Sequence, residues 1–398
     1  MLRHKLRKVA SEYLTHLLIF LLTVFYTFHD STKWSIMKSL GAQGPILYVD
    51  SSTVLHYSRC FENIGIKVFL NGEICSNWNY STSLLRLIGV LELQNTNEQL
   101  IGKMFTYFLL LSFCVLLYLL RGHSFAQVTL FLGLISPPVW LLIERGNFDT
   151  VIYLLIFLSA LIYAQGYKII SILLISISSI LKFYTLPLLF FIWIKSRGFY
   201  LKLFSSIIFL VSVVLIAFDL RLLDKNNVIQ AGNNHFGLKI IGNYLGKLGI
   251  EIYLPAQYLL SGFFFFASIV ITYLIVLRFP FVHLDNPNLS KFKILYLFNF
   301  VVFISMYLTG LSVDYKLIFA MTTAPFLIIH SQRKFRFLVL LLFLFSVWFT
   351  YLTGFFQTIG DFTLQIYMAI QIVFILQATN FEPRIRSIYV KNLKKFKH

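Results

Sequence analysis

The chain has 398 residues, of which 58% are hydrophobic and only 13% are charged. Soluble domains sit near 45–50% apolar and about 25% charged, so an ordinary soluble globular protein is excluded. Apolar runs of about 18 or more residues recur, continuous rather than alternating, which predicts an all-α polytopic membrane protein and excludes a β-barrel.

Residues 1–13 carry Arg3, Lys5, Arg7 and Lys8 ahead of the apolar Leu14–Phe28. That order resembles a signal peptide, but His29-Asp30-Ser31-Thr32-Lys33 follows instead of a small-residue cleavage site. The expectation is an uncleaved first helix with a cytoplasmic N-terminus. Residues 29–99 are the longest segment without a span, and Thr53–Ile64 and Ser81–Leu93 within it are amphipathic. They predict an ordered outer loop with helices at the membrane surface. Further spans are expected at 100–120, 125–143, 148–165, 200–219, 253–278, 293–312, 314–330, 336–353 and 362–379. Segment 169–194 is interrupted by Lys182 and Pro187 and has Lys168, Lys195 and Arg197 at its two ends. Two short helices returning to one side fit it better than one span. A second outer loop is expected at 220–252 and a basic cytoplasmic tail at 380–398, in a single membrane domain of about 10–12 helices.

This topology places 21 of the 34 Lys/Arg on the inner face, with only Glu12, Asp285 and Glu382 as acids. The whole formal excess of +18 therefore lies inside, as the positive-inside rule requires. The basic balance reads as membrane orientation and contact with anionic lipid, not as nucleic-acid binding. The polar clusters fall on the opposite, extracytoplasmic side.

Of three cysteines, Cys60 and Cys75 share the first outer loop and Cys114 sits in an apolar run. The first two either pair in an oxidising compartment or stay as thiols. No His/Cys spacing suggests a metal, and no Asp-x-Asp pair demands a divalent ion.

The densest polar stretch is Glu144-Arg145-Gly146-Asn147-Phe148-Asp149, between two apolar runs; Lys182-Phe183-Tyr184 follows one run later. Each such charge costs about 2.5 kcal/mol or more at a bilayer centre, so it needs a partner or a task. Arg145 offers a planar fork for phosphate or carboxylate; the plain alternative is pairing with Asp149 or Glu144. Lys182 offers a point charge for a phosphate oxygen, or snorkels to an interface. Asp50, with Tyr57 in the same outer segment, is a candidate general base toward a hydroxyl, or simply caps a helix. His235, in Gly232-Asn233-Asn234-His235, contacts a phosphate or orients a base, or is an inert loop histidine. Asp314-Tyr315-Lys316 sits at an outer mouth, as a binding element or an interfacial anchor.

Together these residues resemble the GT-C superfamily of polyprenyl-phosphate-sugar-dependent glycosyltransferases, and within it glycosyltransferase family 87, with its mannosyltransferases and arabinofuranosyltransferases. The match rests on Glu144–Asp149, a Gly166-centred turn, and Leu181-Lys182-Phe183-Tyr184 ahead of Pro187. Looser likenesses are Asp50 with Tyr57 and Gly65, Trp78-Asn79-Tyr80, Asn233-Asn234-His235 and Asp314-Tyr315-Lys316. The chain departs from the family at Ser81-Thr82, where paired prolines are usual, and at Thr185-Leu186, which separates Tyr184 from Pro187.

The resemblance implies an inverting transfer of mannose or a similar sugar from a polyprenyl-phosphate donor, itself a substrate rather than a cofactor, to a lipid or glycan hydroxyl; no visible motif requires a divalent metal. In it Asp50 and His235 are catalytic, and Arg145, Lys182, Lys316 and Tyr184 hold the donor phosphate. Trp78, Tyr80, Asn147, Asp149, Asn233, Asn234, Asp314 and Tyr315 line the sugar and acceptor. The expected setting is a bacterial inner membrane with both termini cytoplasmic. A polysaccharide polymerase or ligase, and a lipid-linked substrate flippase, are the competing classes.

Overall fold

The computed structural model describes residues 2–27, 49–64, 82–196, 198–222, 235–236, 254–278, 290–308, 312–350 and 355–378. Helices dominate them. The first, α1 (Leu2–Thr27), is followed by two from the outer segment, α2 (Val49–Ile64) and α3 (Thr82–Val90). Then come α4 (Glu98–Leu119), α5 (Ser124–Leu134), α6 (Pro137–Arg145), α7 (Asp149–Ala164) and α8 (Lys168–Leu181). A 3-10 turn at Phe183–Thr185 leads to α9 (Pro187–Lys195) and α10 (Phe199–Leu222). The remainder holds α11 (Leu254–Arg278), α12 (Ser290–Leu308), a 3-10 segment (Asp314–Ala320), α13 (Thr323–His330), α14 (Arg333–Phe349) and α15 (Phe355–Ala378). Two-residue strands β1 (His235–Phe236) and β2 (Ser312–Val313) form a small antiparallel ladder.

Four of these helices are long and apolar enough to cross a membrane, or five if the α5–α6 pair, bent by 47°, is one broken span. This is an all-α membrane protein. Seven further apolar segments among the described residues run to 10–17 residues, short of the roughly 20 that one straight crossing takes. Breaks divide two of the apolar stretches among the described residues. One falls at Ser136-Pro137, where proline suits a helix start because its missing N–H is not needed there. The other is the expected interruption at Lys182. There the backbone turns extended, and Ser178, Ser179 and Thr185 bond one another and nearby carbonyls, Lys182's included. Hydroxyls thus satisfy backbone that the break would orphan at a depth without water.

Hydrogen bonds between buried small polar residues join the helices. Ser159 on α7 and Ser171 on α8 meet at 2.7 Å, Ser176 and Ser212 join α8 to α10 at 3.1 Å, and Gln127 on α5 donates to Thr15 of α1 at 2.6 Å. Thr323 contacts both the Tyr367 hydroxyl and Gln371 of α15. Lipid chains are as apolar as leucine, so such bonds and close packing hold the bundle where burial alone gives little. Gly360 marks one close approach: a Cβ there would lie 2.2 Å from the Thr350 backbone nitrogen. In contrast α10 presents Phe199, Leu203, Ile207, Leu210 and Phe218 outward, the face a bilayer solvates.

Helix α2 exposes Thr53, His56, Arg59 and Glu62 at three-residue spacing and buries Ser51, Val54, Leu55 and Ser58. Ser58 donates to the Leu85 carbonyl of α3. The buried leucines of both helices join the same core as the membrane helices, so their apolar faces turn into the protein. Cys60 is disulfide-bonded and Cys114 is a free thiol; Cys75 lies outside the described residues.

Candidate functional site

The site grows from the turn between α6 and α7. Gly146 takes the left-handed conformation (φ 56°, ψ 41°), and its N–H and that of Asn147 bond back to Ile143 and Leu142. This closes α6 and swings the chain so that Arg145 and Asn147, on either side of the glycine, point to one target. That target is Asp50, on the first turn of α2. Arg145 donates from Nε to Oδ2 at 2.9 Å and from Nη2 to Oδ1 at 2.7 Å, and Asn147 adds Nδ2 to Oδ2. Ser51, fully buried, donates to the Gly146 carbonyl at 2.5 Å. A planar fork on a carboxylate is the geometry arginine is suited to.

Three donors on Asp50 leave about one of a carboxylate's four acceptor positions, on Oδ1. Its side chain is 14% exposed and that of Arg145 41%, so the carboxylate is the more screened of the two. Arg145 thus reaches Asp50, a partner outside the two weighed from the sequence. The reason is the turn itself, which sends Arg145 across to α2. Gly146→Ala is expected to cost about 1–2 kcal/mol, because an L-residue is strained in this conformation. Thermal unfolding in detergent checks it, and an unchanged midpoint would show the turn to be relaxed.

The second half lies one turn deeper. Asn147 bridges the halves: its Oδ1 accepts the Asp149 N–H at 2.7 Å. Asp149 opens α7, where a negative charge suits the helix dipole. Its side chain is fully buried; Oδ1 accepts from the Tyr184 hydroxyl at 2.6 Å and lies 3.2 Å from the Lys182 Nζ. Lys316 Nζ stands 5.2 Å from the centre of the Tyr184 ring, and its charge interacts with those of Asp149 and Lys182. Lys182 therefore does not snorkel; it turns inward to a carboxylate. Asp149, expected on a sugar, is sealed from solvent at 0% exposure, and Tyr184, expected on a phosphate, is buried at 3% and gives its hydroxyl to Asp149. In both cases α7, α8 and the 3-10 turn pack these side chains on each other.

The β1–β2 ladder pairs His235 with Val313 and Phe236 with Ser312. It brings the backbone of His235 beside the segment that continues into Asp314, Tyr315 and Lys316. Trp78, Tyr80, Asn233 and Asn234 lie outside the described residues, as do the side chains of His235, Asp314 and Tyr315. Sequence reasoning missed Ser51, whose only signal was its place beside Asp50. Among the described residues no three His, Cys, Asp or Glu come together; the cations positioned here are Arg145, Lys182 and Lys316.

The arrangement sets two ammonium groups about the Asp149–Tyr184 pair and holds the Asp50 carboxylate in a fixed orientation. Comparison of the chain with family models, with curated proteins and with solved structures finds no match.

Proposed function

We propose that this chain is a membrane glycosyltransferase of the GT-C kind, moving a sugar from a polyprenyl-phosphate donor to a lipid or glycan hydroxyl on the extracytoplasmic face. The observation that carries this reading is that Asn147 links a held carboxylate (Asp50) to the Asp149 N–H, while the Asp149 side chain pairs with Lys182 and its partner Tyr184 has Lys316 over its ring. The resemblance of Glu144–Asp149 and Leu181–Tyr184 to family 87 points the same way.

In the proposed reaction the acceptor hydroxyl bonds to the remaining Oδ1 position of Asp50 and attacks the anomeric carbon from the face opposite the phosphate. The new C–O bond forms as the old one breaks; its electron pair leaves on the polyprenyl phosphate, and the hydroxyl proton passes to Asp50. Phosphate is a good leaving group, so what helps it is positive charge rather than a proton donor. Lys182 and Lys316 supply that charge. Arg145 and Asn147 fix the carboxylate's orientation, so no reorganisation is needed during transfer.

The test is incubation of the purified protein with a panel of polyprenyl-phosphate sugars and an acceptor lipid extract, reading release of free polyprenyl phosphate. Release with one sugar and inversion in the product are expected. Donor binding without release across the panel would remove the enzymatic reading.

A further inference from the structure

The proposed function leaves Asp149 without a task. It is a fully buried acid 3.2 Å from the Lys182 Nζ and within the field of Lys316, two lysines that would serve an anion better without it. Its two oxygens are used unequally: Oδ1 takes both Tyr184 and Lys182, while Oδ2, equally buried, has no hydrogen-bond partner among the described residues. A carboxylate in that position subtracts one charge from the lysine pair.

The geometry points to Asp149 as the specificity-determining residue of the anion site, restraining its positive charge so that a singly charged phosphodiester fits and a diphosphate does not. This rests on the proposed function for the identity of the site, but not for its physics. In a dry site a mismatch of one charge is poorly screened and costs far more than in water. A polyprenyl phosphate linked to a sugar is a diester with one negative charge. A polyprenyl diphosphate sugar carries more, and the surplus would be buried opposite Asp149. Discrimination comes from this repulsive element as much as from the attractive lysines. Whatever else surrounds the site, Asp149→Asn raises its charge by one at the same point, keeps the side-chain shape, and leaves an oxygen for the Tyr184 hydroxyl.

The experiment measures binding of farnesyl methyl phosphate and farnesyl diphosphate to purified full-length protein in detergent, for wild type, Asp149→Asn and Lys316→Gln. Wild type is expected to prefer the diester. Asp149→Asn should shift the affinity ratio toward the diphosphate by about tenfold, and Lys316→Gln should shift it the opposite way. A purely structural role for Asp149 would weaken both ligands alike, and equal ratios in wild type and Asp149→Asn would overturn the assignment. If Asp149→Asn is not recovered folded, Lys316→Gln decides: a ratio unchanged or moved toward the diphosphate overturns it. A wild type that transfers sugar, with an Asp149→Asn variant whose affinity ratio is unchanged, sinks this inference alone. A wild type that discriminates as expected but transfers nothing sinks the glycosyltransferase reading alone, and failure to bind either probe sinks both.

Discussion

Asp50→Asn is expected to lower sugar transfer by about a hundredfold or more, the range a positioned general base contributes, while binding of the lipid-phosphate donor persists. The structure complicates the interpretation, because Asp50 also anchors α2 to the α6–α7 turn through Arg145 and Asn147. An asparagine keeps one oxygen for Arg145 but loses the charge that makes the fork strong. Arg145→Met separates the two effects. It breaks the same anchor from the other side and leaves the carboxylate, with Asn147, in place. If Asp50 takes the proton, Asp50→Asn loses much more turnover than Arg145→Met at comparable thermal stability. Equal losses in turnover and in unfolding midpoint would make Asp50 an anchor only, and the base would have to be sought elsewhere.

Lys182→Met is expected to be the most destabilising single change at the site. It leaves the Asp149 carboxylate, 0% exposed, without its nearest cation, and removing one partner of a buried pair costs about 3–5 kcal/mol. Loss of the folded fraction on extraction, or a large fall in thermal midpoint, is the readout. The double variant Lys182→Met with Asp149→Asn removes both charges and should regain most of that stability, since an uncharged pair leaves no bare ion in the interior. It should not regain donor binding, because the ammonium proposed to face the phosphate is gone. Recovery of stability without donor binding identifies Lys182 as serving both fold and site. Recovery of both would mean the lysine exists only to neutralise Asp149, and no recovery would mean that the pair's shape, not its charge, is what the bundle requires.

The helices were legible because hydropathy is a local property. The runs 100–120 and 200–219 correspond to Glu98–Leu119 and Phe199–Leu222, and the amphipathic 53–64 lies within Val49–Ile64. The break at Lys182 was equally legible, since a lone charge inside an apolar run must interrupt it or find a partner. The bend at Ser136-Pro137, within the run expected at 125–143, was not, because an apolar run does not show where it turns. Nor was burial: Asp149 and Tyr184 carry the polarity of ligand-binding residues, and nothing in their neighbours reveals that they satisfy each other.

What the sequence by itself determined is the class of the protein, an α-helical membrane protein, and the list of polar residues that such a setting must account for. The tertiary structure decided how those residues are matched. At Glu144–Asp149 the partners include Asp50, 95 and 97 residues earlier for Arg145 and Asn147, and Tyr184, 35 residues later for Asp149. Periodicity and spacing act over a few turns of helix, whereas a charge in a low-dielectric interior settles on whichever counter-group the packing brings within about 3 Å. Here the packing is set by the left-handed turn at Gly146, which sends Arg145 and Asn147 to Asp50 and leaves Asp149 to the lysines.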